Sequence, residues 1–199
     1  NGNDKLTGKD YDEILGVMRP GSSIKKIEIN SCEPKRHFNC LLISSKTITS
    51  DNLDNPKFQV MLDRYHKIIA MKNYSGFLDL TLGTPLISYK VMLDLSKIKI
   101  TNSYKQENRI DFIKDLHKDM VFWKLVLNQG KLLIDKMVAN LAIRTNINYL
   151  SEYLRNNPIA ESDRELIAEI LKPLTTNELD LSESFITESR SFLNLIETA

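Results

Sequence analysis

The sequence predicts a mainly α-helical fold, an irregular helical bundle or a small stack of antiparallel helical hairpins, behind a less regular N-terminal third. Apolar residues recur from about residue 54 onward at the three-and-four spacing of one buried helix face, and short Gly or Pro segments separate these stretches. No 34-residue repeat can be aligned, which favours an irregular bundle over a solenoid. The 199 residues are 42% hydrophobic and 27% charged, as in ordinary folded proteins. We therefore expect an irregular segment at 1–53 and a helical domain at 54–199 that packs as one unit.

The N-terminal third gives only weak structural signals. Residues 9–19 could form a short helix that ends at the Pro20-Gly21 turn, and 22–30 alternates too weakly to separate a strand from a connector. Residues 31–55 are rich in Ser, Thr, Asn and Lys. This is the least regular part of the chain.

Two helices are predicted in the first half of the helical domain. One spans about 54–72 with Pro56 in its first turn, and a loop over 73–83 separates it from a helix that begins near Pro85. Their predicted apolar faces are Phe58, Met61, Leu62, Tyr65, Ile68 and Ile69 in the first, and Leu86, Tyr89, Met92 and Leu93 in the second.

The clearest helical pattern covers 107–128 and 131–156, two stretches joined near Gly130 and expected to form an antiparallel hairpin. The second helix should end at Asn157-Pro158, because the residue before a proline disfavours helix. The predicted apolar faces are Phe112, Leu116, Met120, Trp123 and Leu127 in the first, and Ile134, Met137 or Val138, Leu141, Thr145 and Tyr149 in the second.

Two further helices are predicted toward the C-terminal end. Ser162, with Glu165 three residues later, has the pattern of a capping box for a helix that Pro173 stops. A final helix is predicted over about 176–197. Its predicted buried face is Leu179, Ser182, Phe185 or Ile186, Phe192 or Leu193, and Ile196.

The chain has two cysteines, Cys32 and Cys40, close together in a polar segment. Two thiols at this spacing can close a small disulfide ring, which suits an oxidising compartment. The alternatives are two reduced thiols or a metal site with His37. The metal site is the weakest of the three, because Cys32, His37 and Cys40 have no fourth ligand nearby.

One polar cluster is predicted within otherwise apolar helix surfaces: Asp119, Trp123, Asp135 and Lys136. Antiparallel pairing about Gly130 would bring Lys136 near the level of Trp123, and a buried ammonium needs a partner. Asp119 is favoured over Asp135 as that partner, because adjacent helical residues point to different faces. The cluster is either a structural pair that sets the register of the hairpin or the lining of a functional pocket.

Charge and motifs exclude several classes of function. The net charge of +1 argues against a nucleic-acid partner, although residues 1–151 carry a basic excess and 152–199 hold only four basic residues against ten acidic ones. No apolar stretch reaches the roughly 20 residues that span a bilayer. The sequence contains no phosphate-binding loop, dinucleotide fingerprint, HExxH motif or nucleophile elbow. We therefore predict neither a cofactor nor catalytic residues.

Three segments carry a resemblance to a known group of proteins: LDRYHKII at 62–69, DMVFWK at 119–124 and LIDKMVA at 133–139. Over about 57–155, the chain resembles uncharacterised bacterial envelope proteins. Such proteins are typically anchored by an N-terminal membrane segment and have an all-helical periplasmic part. The resemblance implies a periplasmic or secreted protein, from a longer precursor with a signal or an anchor.

These observations favour a non-enzymatic helical interaction module of the bacterial envelope or secreted space, because paired helices form adaptable grooves. The expected partner is another protein or an envelope component. The alternative is a hydrolase or another enzyme that uses Asp119 and Asp135 in a helical cleft. An open polar cleft around these carboxylates would favour the enzyme, and a closed, satisfied cluster would favour a structural role.

Overall fold

The computed structural model describes residues 40–47, 56–74, 89–105 and 109–197, and within these ranges all regular structure is helical. The helices are α1 Cys40–Thr47, α2 Pro56–Ile69, α3 Tyr89–Lys105, α4 Arg109–Gln129, α5 Leu133–Asn156, α6 Arg164–Leu171, α7 Thr176–Leu179 and α8 Ser182–Glu197, with a 3-10 turn at Glu161–Asp163. The predicted mainly α-helical bundle is confirmed. The helix predicted at 9–19, the segment 22–30 and the start of α3 near Pro85 lie outside the described residues.

The centre of the bundle is the hairpin of α4 and α5, whose short connection at 130–132 makes the two helices antiparallel neighbours. The five-residue apolar face predicted on α4 is confirmed. Its members are all buried: Phe112, Leu116, Met120, Trp123 and Leu127. Helices α2, α3 and α6 pack around α4, and their buried residues join the same core.

The apolar face predicted for α5 is confirmed only in part: Val138 and Tyr149 are buried, and the other predicted members are not. Ile134, Met137 and Leu141 are 42%, 67% and 53% exposed, so they form an outer ridge instead of a core stripe. The buried face lies around the other side of the helix: Asp135, Val138, Ala139, Ala142, Ile143, Asn146, Tyr149, Leu150 and Tyr153. Four charged or amide residues of α5 are also buried, which an apolar stripe does not predict: Asp135, Lys136, Asn146 and Glu152.

Helix α1 lies within the segment predicted to be irregular, yet it belongs to the core. It packs against α3 and α5, and Leu41 is fully buried. The carboxylate of Glu152 on α5 accepts hydrogen bonds from the backbone N–H groups of Leu41 (2.8 Å) and Leu42 (3.0 Å). These N–H groups in the first turn of a helix have no partner within the helix, so Glu152 caps α1 from a distant part of the sequence.

The predicted Ser162 cap of α6 is wrong. The chain enters α6 through the 3-10 turn, which places Asp163 at the N-cap position, and its carboxylate accepts no capping hydrogen bond from the first turn of α6. The Ser162 hydroxyl instead donates to the Asp163 carboxylate at 3.3 Å. The helix ends at Leu171, before Pro173, as predicted.

The single helix predicted over 176–197 is two helices. The chain is extended at Asp180 between α7 and α8. The Asp180 carboxylate accepts hydrogen bonds from the backbone N–H (2.9 Å) and the hydroxyl (2.6 Å) of Ser182. This local bond competes with helix continuation, which explains the break. Among the described helices, none combines the length and apolar character needed to cross a bilayer.

Candidate functional site

Asp119 is the centre of a closed polar network in the middle of the bundle. Its carboxylate accepts hydrogen bonds from the Tyr65 hydroxyl on α2, the Ser96 hydroxyl on α3 (2.8 Å) and the Asn146 amide on α5 (2.7 Å). Asp119 itself lies on α4 and is fully buried. One carboxylate therefore ties four helices together.

Burial decides the protonation behaviour of this network. It raises the pKa of Asp119, although the hydrogen bonds from Asn146, Tyr65 and Ser96 oppose the shift. Burial and then the neighbouring Asp119 charge raise the pKa of Tyr65 well above its usual value. The network is closed to solvent and its carboxylate is engaged by three donors, which is the geometry of a structural cluster.

The predicted pairing of Lys136 with Asp119 is wrong. Lys136 is buried, as expected, but its ammonium donates to the backbone carbonyl of Asp180 at 2.9 Å. Lys136 therefore holds the α7–α8 connection against the start of α5. Trp123 is fully buried beside Phe122, with the ring centroids 5.1 Å apart in an edge-on arrangement, and it belongs to the core of α4.

Asp135 belongs to a second network at the α4–α5 turn. Its carboxylate accepts hydrogen bonds from the Tyr89 hydroxyl, the Tyr74 hydroxyl (3.2 Å) and the Leu132 backbone N–H (3.2 Å). Burial is the main cause that raises the pKa of both tyrosines. The four residues predicted as one cluster are thus divided among two separate carboxylate networks, a core aromatic residue and a tie between α5 and the α7–α8 connection.

One of the two cysteines of the predicted disulfide lies in a described helix. Cys40 is buried at the start of α1, whereas Cys32 and the third candidate ligand, His37, lie outside the described residues. The disulfide stays a prediction. Within the ranges that the structure describes, no group of three His, Cys, Asp or Glu side chains could hold a metal ion.

Three apolar side chains of α8 face solvent, whereas two of its serines face the bundle. Phe185, Ile186 and Leu193 are 55%, 51% and 58% exposed, whereas Ser184 and Ser191 are buried. Successive residues of an α-helix are separated by about 100°, so the three apolar positions share one side and the two serines the opposite one. For the described side chains of α8, this arrangement is the reverse of the usual one, in which the apolar residues of a helix face the core.

Polar contacts with the start of α5 fix the orientation of α8. The Glu188 carboxylate accepts a hydrogen bond from the Leu133 backbone N–H at 2.7 Å, and Glu183 forms an ion pair with Lys131. The Ser184 hydroxyl donates to the Gly130 carbonyl at 3.4 Å. A carboxylate at the N-terminus of α5 also complements the helix dipole, so the polar side of α8 has a specific reason to face inward.

The exposed apolar side of α8 and the outer ridge of α5 were both visible in the sequence as apolar stripes, but were predicted as core. Both surfaces consist of large side chains that are exposed: Ile134, Met137 and Leu141 on α5, and Phe185, Ile186 and Leu193 on α8. The sequence did not reveal Tyr65, Asn146 or Glu152 as polar anchors of the bundle. Their roles depend on contacts between distant helices.

The chain matches no protein-family model, no curated protein and no solved structure. The resemblance to bacterial envelope proteins therefore stays a prediction.

Proposed function

We propose that this chain is a helical interaction module that docks an amphipathic helix of a partner protein, basic on its polar side, against the outward apolar side of α8. The observation that carries the proposal is the reversed orientation of α8. Monomeric proteins rarely leave a contiguous apolar surface uncovered, and such surfaces are typical of binding sites. A helix laid along α8 would cover it by the helix-in-groove mode of recognition.

The three exposed residues can supply a useful part of the binding free energy. Complete burial of a Phe, Ile or Leu side chain is worth about 1.5–3 kcal/mol. Phe185, Ile186 and Leu193 each expose a little more than half of their surface, so each can still contribute about 1 kcal/mol. Loss of two of these side chains should therefore cause a measurable decrease in binding affinity.

Charge favours a basic partner over a second copy of the chain. Glu183 and Glu188 are engaged on the inward side, with Lys131 and the Leu133 N–H, so Glu178 and Asp180 carry the acidic charge left near the start of α8. Arg190 is the one basic residue of the described 176–197 segment. Two copies joined through α8 would bring these acidic side chains together. An anionic membrane surface would be repelled for the same reason.

The test uses two designed peptides with the same leucine face, one with lysines and the other with glutamates on the polar side. We expect the lysine peptide to bind at least about tenfold more tightly in isothermal titration calorimetry. The double variant Phe185→Ser/Leu193→Ser, which loses about 2 kcal/mol of apolar burial, should weaken that binding roughly thirtyfold without changing the net charge. The matched control, Ile159→Ser/Leu171→Ser, removes two residues that are 49% and 52% exposed elsewhere, and should bind normally.

Three results would contradict the proposed surface: equal binding of both peptides, equal binding by the two double variants, or a stable dimer in light scattering that Phe185→Ser/Leu193→Ser dissociates. Binding to vesicles of anionic lipid that the same variant abolishes would also contradict it, since it would assign α8 to a membrane.

We also propose that the module works in the bacterial envelope or the secreted space. The resemblance over 57–155 and the close spacing of Cys32 and Cys40 support this compartment. Alkylation of protein recovered from its native compartment, without reduction, followed by mass measurement, tests it. We expect no alkylation before reduction and two alkyl groups after it; two alkyl groups without reduction would contradict the disulfide.

The enzyme alternative draws no support from the residues on which it rested. Asp119 and Asp135 are both fully buried and each accepts three hydrogen bonds from neighbouring groups. Neither carboxylate is presented to a substrate in this structure.

A further inference from the structure

A cleft of about 620 Å³ lies between α2, α3 and α4, away from the apolar side of α8. Its apolar wall includes Leu62 and Ile69 of α2 and Ile98 of α3. The volume lies in the range of small-molecule sites, which combine apolar walls with a few placed polar groups. The cleft therefore has the size and the lining of a ligand site.

Lys99 supplies the cleft with a nearly buried ammonium group. Its side chain is only 8% exposed, and it pairs with the Asp115 carboxylate at 3.1 Å. The Ser103 hydroxyl donates to the other oxygen of Asp115, so the pair is held in place from both sides. An ammonium group can donate three hydrogen bonds, and Asp115 is its one ion-pair partner among the described residues.

The remaining charges of the lining favour an anion. Lys114 and Lys118 lie on the exposed rim, so the cleft holds three lysines against Asp111 and Asp115. The pKa of His66, on the facing helix α2, responds to the positive charge of this cleft. Burial first, and then the charge of Lys99, lowers the pKa of His66.

We propose that this cleft binds a small organic anion, with its carboxylate or phosphate group on Lys99 and its apolar body against Ile69 and Ile98. Lys99 is prepared for this task, because the Asp115 pair orients the ammonium before the ligand arrives. The exposed rim lysines add attraction without fixed geometry. A cation of the same shape would meet three like charges.

The test uses four probes: hexanoate, hexyl phosphate, hexylammonium and inorganic phosphate. Binding is followed by the NMR signals of the His66 ring during pH titration. Hexanoate and hexyl phosphate should saturate and raise the pKa of His66, because a bound anion offsets the Lys99 charge. Hexylammonium should leave the signals unchanged, and inorganic phosphate, which lacks the apolar body, should bind at least about tenfold more weakly than hexyl phosphate.

Two lysines of the same helix provide the matched comparison. Lys99→Met should weaken hexanoate binding at least about tenfold, whereas Lys90→Met should not change it. Both variants remove one positive charge from α3, and Lys90 is 82% exposed in a surface pair with Asp94. Equal affinities of the two variants, or equal binding of hexylammonium and hexanoate, would overturn the proposal.

Lys99→Met also leaves Asp115 without its cation and could unfold the protein. In that case Lys118→Gln, a change on the exposed rim, carries the test. It should weaken hexanoate binding roughly threefold, by loss of one nearby charge, while Lys90→Gln leaves it unchanged. If Lys118→Gln and Lys90→Gln bind hexanoate alike, the cleft is not an anion site.

Discussion

Replacement of Asp119 by alanine should remove most of the stability of the fold. The substitution leaves three buried donors, Tyr65, Ser96 and Asn146, without their acceptor. An unsatisfied buried donor costs about 1–3 kcal/mol, so even at the low end the three donors together cost about 4 kcal/mol with the small cavity included. Domains of this kind are stable by about 5–15 kcal/mol, so the variant should fold only marginally.

Urea denaturation at neutral pH, followed by Trp123 fluorescence, measures this loss. Trp123 is the one tryptophan of the chain, and it lies one turn from Asp119 in the core of α4. The control is Asp94→Ala, which removes a carboxylate from the exposed pair with Lys90 and should cost less than about 1 kcal/mol. Equal losses in the two variants would refute the view that the Asp119 network holds the four helices together.

The same residue predicts a pH dependence with a definite sign. Burial raises the pKa of Asp119 in the folded state above the ordinary value of 3.8. As pH rises, the unfolded state therefore loses this proton first. Relative to Asp119→Asn, which cannot ionise, the wild type should lose up to about 1.4 kcal/mol per pH unit between 3.8 and the folded-state pKa. A constant difference between the two proteins would contradict the assigned cause.

Three further changes test other contacts. Gly130→Ala should lower the free energy of unfolding by about 1–3 kcal/mol in urea denaturation, because the added Cβ would lie 2.6 Å from the Val126 carbonyl oxygen; unchanged stability would contradict this close approach. Glu152→Gln should speed amide hydrogen exchange in α1 while α4 stays protected; equal exchange in wild type and variant would show that α1 does not depend on this cap. Lys136→Met should lower the free energy of unfolding by less than about 1.5 kcal/mol, since it keeps apolar volume and removes one hydrogen bond to a backbone carbonyl. The variant should therefore be more stable than Asp119→Ala, and the reverse order would refute the structural assignments of both residues.

The helix α4 shows how much of the fold the sequence could predict. Five large apolar residues at steps of three and four leave one choice of buried face, and all five are buried. The predicted range 107–128 differs from the observed Arg109–Gln129 by two residues at most. The local periodicity was sufficient to predict the buried face of α4, because the helix is central and this face packs against the core along its whole length.

The partners of the polar residues could not be predicted in the same way. The donors to Asp119 lie 54, 23 and 27 residues away in the sequence, on three different helices. Their convergence depends on the rotation and register of each helix in the bundle. The prediction for Lys136 assumed that its partner lies within the hairpin, whereas the acceptor is a backbone oxygen, which no residue type reveals.

Helix α8 shows why an amphipathic pattern alone cannot assign the buried side. The pattern establishes that one side of the helix is apolar, but polar contacts decide which side faces the bundle. If α8 rotated to bury Phe185 and Ile186, Glu188 and Ser184 would leave the N-terminus of α5, and the Leu133 N–H would lose its acceptor. The exposed apolar side chains of α8 can be buried without loss of these polar contacts only if a second surface covers them while α8 stays in place on α5. A partner helix at this position would provide that surface, and it would account for the outward orientation of Phe185, Ile186 and Leu193.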